Sequence, residues 1–461
     1  MYDGVLSIDL GASYTKIAYR PACVPVRIGE HPTESMVWLP DDLALIPSLA
    51  IKSSNHASPW AFGWDAANLP FDRSMQVFQN WKADLFRPDN DKDSATAAII
   101  AHKFFDWLRP KLKSAGIDVR ECQTRVAMPA FKTFDENAVL LARCMDLSGW
   151  DDPTLILKVR EPHANALGLF AGGENVVKRD AVGQIDPHYG RMFGADSAYI
   201  RAARGHALYG THGNLLTVMV VDIGAFTTDL ASLTFDFAAQ ADGLRAVQQE
   251  SHALGVINQL DKPLFAVLAD RHGFSWSDVS FNATERFKMN LYRGGSYPLP
   301  ARVDGKPAVV DLGSPADADL VREAAMKFAE AAKEKIAAFV GNQIPARVFL
   351  TGGGSLIRPV ADALTAYFAD LGIPAGVVEQ GNEVVGNGEW RPWQQSGEGL
   401  QRLATALGGA SVVLQHAGAW QPGPLPVFSL PTVAALQASL TNCRCQGGNK
   451  DCCFCGGRGF Y

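Results

Sequence analysis

Two short turns, far apart in the chain, constrain its fold more than any other feature of the sequence. Val5-Leu6-Ser7-Ile8 runs into Asp9-Leu10-Gly11-Ala12-Ser13-Tyr14-Thr15-Lys16, and Val220-Val221 runs into Asp222-Ile223-Gly224-Ala225-Phe226-Thr227-Thr228-Asp229. Each is an apolar, β-rich run that ends on an aspartate, turns at a glycine and continues through hydroxyl-bearing residues. A carboxylate at a strand end can hold Mg²⁺ through water, because magnesium favours oxygen ligands and keeps most of its hydration. The glycine lets the backbone turn tightly, so that amide N–H groups face an anion. Ser13 adds a hydroxyl, and Lys16 neutralises phosphate charge as a point cation. One such turn is common in α/β proteins. Two in matching context, about 210 residues apart, suit a nucleotide clamped between duplicated lobes. A third run, Val348-Phe349-Leu350-Thr351, ends in Gly352-Gly353-Gly354-Ser355 and leads through Leu356-Ile357-Arg358-Pro359 into a helix. A glycine run at a strand end admits a flat ring or a phosphate close to the backbone.

Between these turns, stretches such as 137–147 and 317–339 have helix-forming composition and helical apolar spacing. Strands and helices alternating in two halves predict an α/β fold with two related lobes. A length of 461 residues accommodates two lobes and an appendage. Lobe I is expected over 1–217, with 39–109 as its outer subdomain, and lobe II over 218–417, with 258–344 as its outer subdomain. Hydrophobic residues at 47% and charged residues at 20% are ordinary for a soluble globular chain. A formal charge of −6 argues against a protein devoted to coating nucleic acid. No apolar run reaches the roughly 18 residues that span a bilayer, and the first residues carry neither a basic flank nor a cleavage site. A cytoplasmic address is expected.

Past residue 417 the prolines and glycines of 418–426 read as a linker, expected to extend to residue 440. The tail, 441–461, holds five of the chain's eight cysteines: Cys443, Cys445, Cys452, Cys453 and Cys455. Close thiol pairs around a Gly-rich turn suit a tetrahedral zinc site, which uses four of the five. Disulfides or a redox-active tail are the alternatives, and a cytoplasmic setting disfavours structural disulfides. Such a module suits a protein partner better than nucleic acid, since only Arg444, Lys450 and Arg458 supply charge. Cys23, Cys122 and Cys144 read as inert small hydrophobes. His102, His163, His188, His206 and His252 lack metal-ligand spacing, and Trp60, Phe62 and Trp64 read as core or lobe surface.

In their order, the three turns resemble the ATPase superfamily of actin, hexokinase and the heat-shock chaperones. Collinear strings narrow the resemblance to the DnaK-type chaperones. Ile46-Pro47-Ser48-Leu49-Ala50 and Ala61-Phe62-Gly63-Trp64-Asp65-Ala66-Ala67 resemble their T-P-S-V-V and G-x-x-A-K segments, and 77–86 resembles the segment around their catalytic lysine. Arg125-Val126-Ala127-Met128-Pro129-Ala130-Phe131 is similar to T-V-P-A-Y-F, and Arg160-Glu161-Pro162-His163-Ala164-Asn165-Ala166-Leu167 to N-E-P-T-A-A-A-L. Thr284-Glu285-Arg286-Phe287-Lys288-Met289-Asn290-Leu291 resembles the helix that covers adenosine. The tail's Cys-x-x-Cys-x-Gly-x-Gly resembles the zinc repeats of J-domain co-chaperones.

The resemblance implies a two-lobed actin-like fold of duplicated ribonuclease-H-like lobes, with ATP, Mg²⁺ and slow hydrolysis. It implies that Asp9 and Asp222 hold hydrated magnesium, that Ser13, Lys16 and Thr227 contact phosphates, and that Lys82, Glu161 and Asp229 orient the attacking water. Gly353, Gly354, Ser355, Glu285 and Lys288 would surround the adenosine. Gly11, Tyr14, Gly224, Thr228, Gly352 and Arg358 would complete the nucleotide contacts. Pro129 and Glu161-Pro162 sit where the family couples nucleotide state to lobe motion. The chain also departs from the pattern. Ala12 replaces a threonine, Ala225-Phe226 replaces two glycines, Met289 replaces a basic residue, and the adenine-stacking arginine falls at Ile357 or shifts to Arg358. Lys16 matches actin's phosphate lysine, and 172–213 is longer than its counterpart. Only about 44 residues follow position 417, too few for a peptide-binding domain. The expected function is a chaperone-family switch whose tail recruits a partner or client, with a co-chaperone or a second copy as further partners and no membrane. An actin-like filament protein and a small-molecule kinase are the alternatives.

Overall fold

In the computed structural model the apolar run Gly4–Leu10 is a strand buried along its whole length, and it pairs antiparallel with Tyr14–Pro21 beyond its turn. The structure describes residues 4–21, 36–40, 43, 45–53, 60–69, 75–86, 91–150, 156–170, 175–179, 185–186, 215–236, 243–276, 279–292, 295, 297–303, 306–341, 344–377 and 399–410. The fold is mixed α/β. Cys122–Met128 lies parallel to the first strand, and Ile156–Arg160 lies parallel to that. On the other edge Met36–Pro40 pairs antiparallel with Tyr14–Pro21.

The second half repeats this plan. Leu215–Ile223 and Thr228–Asp236 form a hairpin, and Gly243–His252 adds an antiparallel strand to its outer side. Arg347–Thr351 and Ala375–Val377 continue in parallel from the inner side. Five strands therefore run third, second, first, fourth, fifth in both halves, with the same senses, and the first sheet extends beyond its third strand through Asn175–Arg179 and Ile185–Asp186, with Leu45–Pro47 paired to Tyr14–Pro21. In both, the long crossover from third to fourth strand carries the outer elements. In the first half these are a small sheet of Leu49–Lys52, Trp60–Phe62 and Gln76–Gln79, with helices Trp81–Leu85 and Asp91–Ser114. In the second they are helices Lys262–His272 and Phe281–Tyr292, the hairpin Tyr297–Val303 with Lys306–Leu312, and helix Pro315–Val340.

Helix Pro315–Val340 covers the predicted 317–339 and starts where the sequence dictates. The Ser314 hydroxyl accepts from the Asp317 N–H at 3.2 Å, and the Asp317 carboxylate accepts from the Ser314 N–H at 3.2 Å. Such reciprocal capping stabilises a helix by about 1 kcal/mol. Phe134–Leu147 covers the predicted 137–147. Each half has its own apolar core, one around Trp81, Phe104, Phe105 and Trp150 and the other around Phe287, Phe328 and Phe368. Phe62 belongs to the first, and Cys122 and Cys144 are buried free thiols. Among the described residues no helix is long and apolar enough to cross a membrane.

Two helices join the halves. Glu161–Phe170 packs against strands of both sheets, and Gly399–Gly409, which follows the second half in sequence, lies on the first sheet. They touch backbone to backbone: a Cβ on Gly168 would stand 1.9 Å from the Ala404 carbonyl oxygen, and one on Gly408 1.7 Å from that of Ala164. Arg20 and Arg125 of the first sheet donate to the carbonyls of Ala410 and Gly409 at 2.8 and 3.0 Å. Cations there complement the negative end of the helix dipole. The linker and cysteine tail lie outside the described residues.

Candidate functional site

The two Asp-x-Gly turns are equal in length. Asp9 pairs in register with Lys16, and Asp222 pairs with Asp229, so Lys16 and Asp229 hold corresponding positions in duplicated hairpins. A Cβ on Gly11 would lie 2.1 Å from the Tyr14 carbonyl oxygen, and one on Gly224 2.9 Å from that of Thr227. Only glycine fits either turn without a shift. The first turn is also lashed to the 46–50 segment, where Ser48 Oγ donates to the Gly11 carbonyl at 2.5 Å.

The turns face one another across an open cleft. Asp9, Asp222 and Lys16 line it with Lys82, Glu161 and Asp229, and Gly11, Ser13, Tyr14, Gly224 and Thr227 complete the turn side. Lys16 Nζ bonds Asp9 Oδ2 at 2.8 Å, and Lys82 forms a buried ion pair with Glu161. Asp229 is gripped at both oxygens, by Thr227 Oγ1 at 2.7 Å and by the Ser251 hydroxyl.

Four carboxylates thus face two lysines. Burial pushes the Asp222 carboxyl up to about 7, with Lys16 opposing the rise and Asp9 and Glu161 adding to it. Burial likewise raises Glu161 against the pull of Lys82, and raises Asp229 with the help of Asp222's charge. Burial opposes charge on Lys16 as well, yet Asp9, Asp222 and Glu161 hold its ammonium above the usual range. The excess negative charge is what a bound cation would relieve. Among the described residues no three His, Cys, Asp or Glu side chains converge into a metal cage. Asp9 and Asp222 supply carboxylate oxygens, the ligand type a hard divalent cation takes, from corresponding strand ends.

The opposite wall comes from helix Phe281–Tyr292 and the Gly-rich strand end. Glu285 and Lys288 line the cleft. The Tyr14 hydroxyl donates to Glu285 at 3.2 Å, and Lys288 bridges Asp261 at 2.8 Å and Glu285 at 3.2 Å. Gly352, at φ +78°, runs so close to the second turn that a Cβ would lie 2.1 Å from Asp222 Oδ1, and one on Gly354 would lie 2.3 Å from Ile223 Cγ2. Gly353 differs: its Cβ would meet no described atom within 4 Å. Two glycines allow close approach, and the third leaves the cleft open.

Three expected contacts lie elsewhere. Thr228 is fully buried and donates to the Leu254 carbonyl at 2.6 Å. Ser355 turns under the loop to donate to the Gly352 carbonyl at 2.8 Å. Arg358 opens the helix Arg358–Asp370 and points to solvent, 3.8 Å from Asp362 one turn on, while Ile357 lines the cleft. Cys443, Cys445, Cys452, Cys453 and Cys455 lie outside the described residues.

Further residues in or behind the cleft are not among the expected contacts. Asn165 Nδ2 donates to Asp222 Oδ2 at 2.7 Å and to Thr405 Oγ1 at 3.2 Å. It stands four residues beyond Glu161 on one helix face, the spacing that could have revealed it. Arg402, 5.6 Å from the centre of the Tyr14 ring, reaches the cleft from helix Gly399–Gly409, and no local signal announces it. Phe226, at the tip of the second turn, packs with Ala12, Ala83 and Phe131 into a small apolar cluster beside Lys82. A scan against protein-family models and a search of curated proteins return no match to this chain.

Proposed function

We propose that the chain is an ATP-binding, slowly ATP-hydrolysing switch of the chaperone type, built on the actin-like two-lobed fold. The observation that carries this reading is the meeting, in one cleft, of the aspartates from two duplicated hairpins with the Lys82–Glu161 pair. The repeated strand order of the two sheets supports the fold assignment.

In this reading Asp9 and Asp222 hold hydrated Mg²⁺, which neutralises triphosphate charge when bound. Lys16 and the Ser13 hydroxyl hold the phosphates, while the Gly11 and Gly224 amides close their own turns onto the Asp9 and Thr227 carbonyls at 3.0 and 2.8 Å. Phosphoryl transfer demands positioning and charge neutralisation more than covalent help from the protein. Lys82 and Glu161 orient a water in line with the terminal phosphorus, and Asp229 takes its proton. The water oxygen bonds to phosphorus, the bond to the bridging oxygen breaks, and its electron pair leaves with ADP. Gly353 and helix Phe281–Tyr292 receive the adenosine. The tail binds zinc through four of its five clustered cysteines and recruits a protein partner or client in the cytoplasm.

The test is ATP binding and phosphate release by the full chain beside Asp222→Ala and Lys82→Ala. Asp222→Ala is expected to lose magnesium-nucleotide binding. Lys82→Ala is expected to bind ATP but release phosphate about 100-fold more slowly or worse, the scale of a lost positioned catalytic group. If both variants bind and turn over as the wild type does, the assignment is wrong.

A further inference from the structure

A chain of two hydrogen bonds crosses from the first half of the molecule to the second and ends on a cleft carboxylate. Ala130, just beyond strand Cys122–Met128, donates its backbone N–H to Ser251 Oγ at 2.7 Å. The Ser251 hydroxyl donates onward to Asp229 Oδ1. Ser251 and Asp229 are cross-strand partners in register on neighbouring strands, and both are buried.

The polarity of this chain is set once Asp229 is ionised, the form that can take a proton from water. A backbone amide can only donate, an ionised carboxylate can only accept, and a serine hydroxyl has one proton. Ser251 accepts from Ala130 and directs its proton at Asp229. Thr227 Oγ1 holds the other carboxylate oxygen at 2.7 Å, so together the two hydroxyls define the plane of the Asp229 carboxylate. Thr227 and Asp229 belong to one hairpin and move together. Of the two hydroxyls, Ser251 is the one hydrogen-bonded to the other half, accepting from a backbone amide at 2.7 Å. The neighbouring Phe131 ring packs edge-on against Phe226, centroids 5.9 Å apart, at the tip of the second turn. Parting the halves by about 1 Å there takes the Ala130 bond beyond hydrogen-bonding distance. The Ser251 hydroxyl is then free to rotate away from Asp229.

We propose that Ser251 is a positioning residue that aims the Asp229 carboxylate at the attacking water only while the two halves are closed on each other. The inference rests on the ATPase reading of the cleft, and it adds a residue that neither the turns nor the resemblance singles out. Ser251 touches no reacting atom in this scheme and acts through Asp229.

The experiment uses the full chain as wild type, Ser251→Ala and Ser251→Thr. Three quantities are measured: MgATP affinity by calorimetry, single-turnover phosphate release, and hydrogen exchange at the Ala130 amide. Ser251→Ala is expected to slow phosphate release about 10- to 100-fold, the scale of a lost hydrogen bond to a charged group. Its MgATP affinity should stay within about 3-fold of wild type, since the interaction serves the transition state and not binding. Ser251→Thr keeps the hydroxyl and should restore most of the rate. The Ala130 amide should exchange faster in Ser251→Ala and more slowly in wild type once MgATP closes the halves. A fully active Ser251→Ala, or a threonine variant no better than alanine, overturns the positioning role while wild-type turnover leaves the ATPase reading standing. A wild type that releases no phosphate overturns both.

Discussion

Replacing Asp222 with asparagine separates what the cleft costs the fold from what it does for a ligand. The amide nearly matches the carboxylate in shape, which matters because a Gly352 Cβ would already stand 2.1 Å from Oδ1. The Asn165 donor at 2.7 Å can be met by the amide oxygen. The charge is what disappears. Burial pushes the Asp222 carboxyl up to about 7, whereas the unfolded chain ionises it near 3.9. Between those values the native state keeps a proton that the unfolded state has released. Stability is therefore fully present below about pH 4 and is lost as pH rises to about 7. A rise of about 3 units at ~1.36 kcal/mol each sets a ceiling of about 4 kcal/mol. Glu161 and Asp229 share the same field, so a single substitution should recover about 1–4 kcal/mol. Without ligand, Asp222→Asn should be more stable than wild type at pH 8, and the difference should shrink towards pH 4. Thermal or urea unfolding at several pH values measures it. Adding MgATP at pH 8 should stabilise the wild type and leave Asp222→Asn nearly unmoved, because the cation's partner is gone. An asparagine variant less stable than wild type at pH 8, or a difference that grows on acidification, refutes the reasoning.

Four further outcomes are expected. Gly408→Ala should lower stability by at least about 2 kcal/mol in urea unfolding, because its Cβ would stand 1.7 Å from the Ala164 carbonyl oxygen and helix backbones must part. Gly353→Ala should leave stability within about 0.5 kcal/mol yet weaken ATP binding. Gly352→Ala, at φ +78° and against Asp222, should lose both stability and binding, as unfolding and nucleotide titration would show. The full chain should carry one zinc per molecule by elemental analysis, stripped by a strong chelator and lowered by Cys455→Ser.

Much of the candidate site was legible because its signals are local. An apolar run, an aspartate and a glycine encode strand, strand end and turn within a few residues, and they do so at Asp9, at Asp222 and, with the glycine run, at Gly352 to Gly354. The helix predicted over 317–339 was legible for the same reason, from composition and apolar spacing within a few turns. The packing of distant faces is a different quantity. Nothing near Arg402 or Thr405 says that helix Gly399–Gly409 turns back onto the first sheet. That follows from Gly168 and Gly408 letting two backbones touch, and from Arg20 and Arg125 meeting carbonyls far along the chain. The contact from Ala130 to Ser251 spans 121 positions, and no spacing rule reaches so far. Arg358 shows the converse. Its motif position suggested the cleft, but as the first residue of its helix it projects to solvent, leaving Ile357 against the cavity. Sequence by itself determined the strands, the turns and the chemistry offered at each, since these depend on neighbours within one helical turn or strand pair. Tertiary structure alone decided which of those groups share a cleft, since that depends on shapes meeting across two halves.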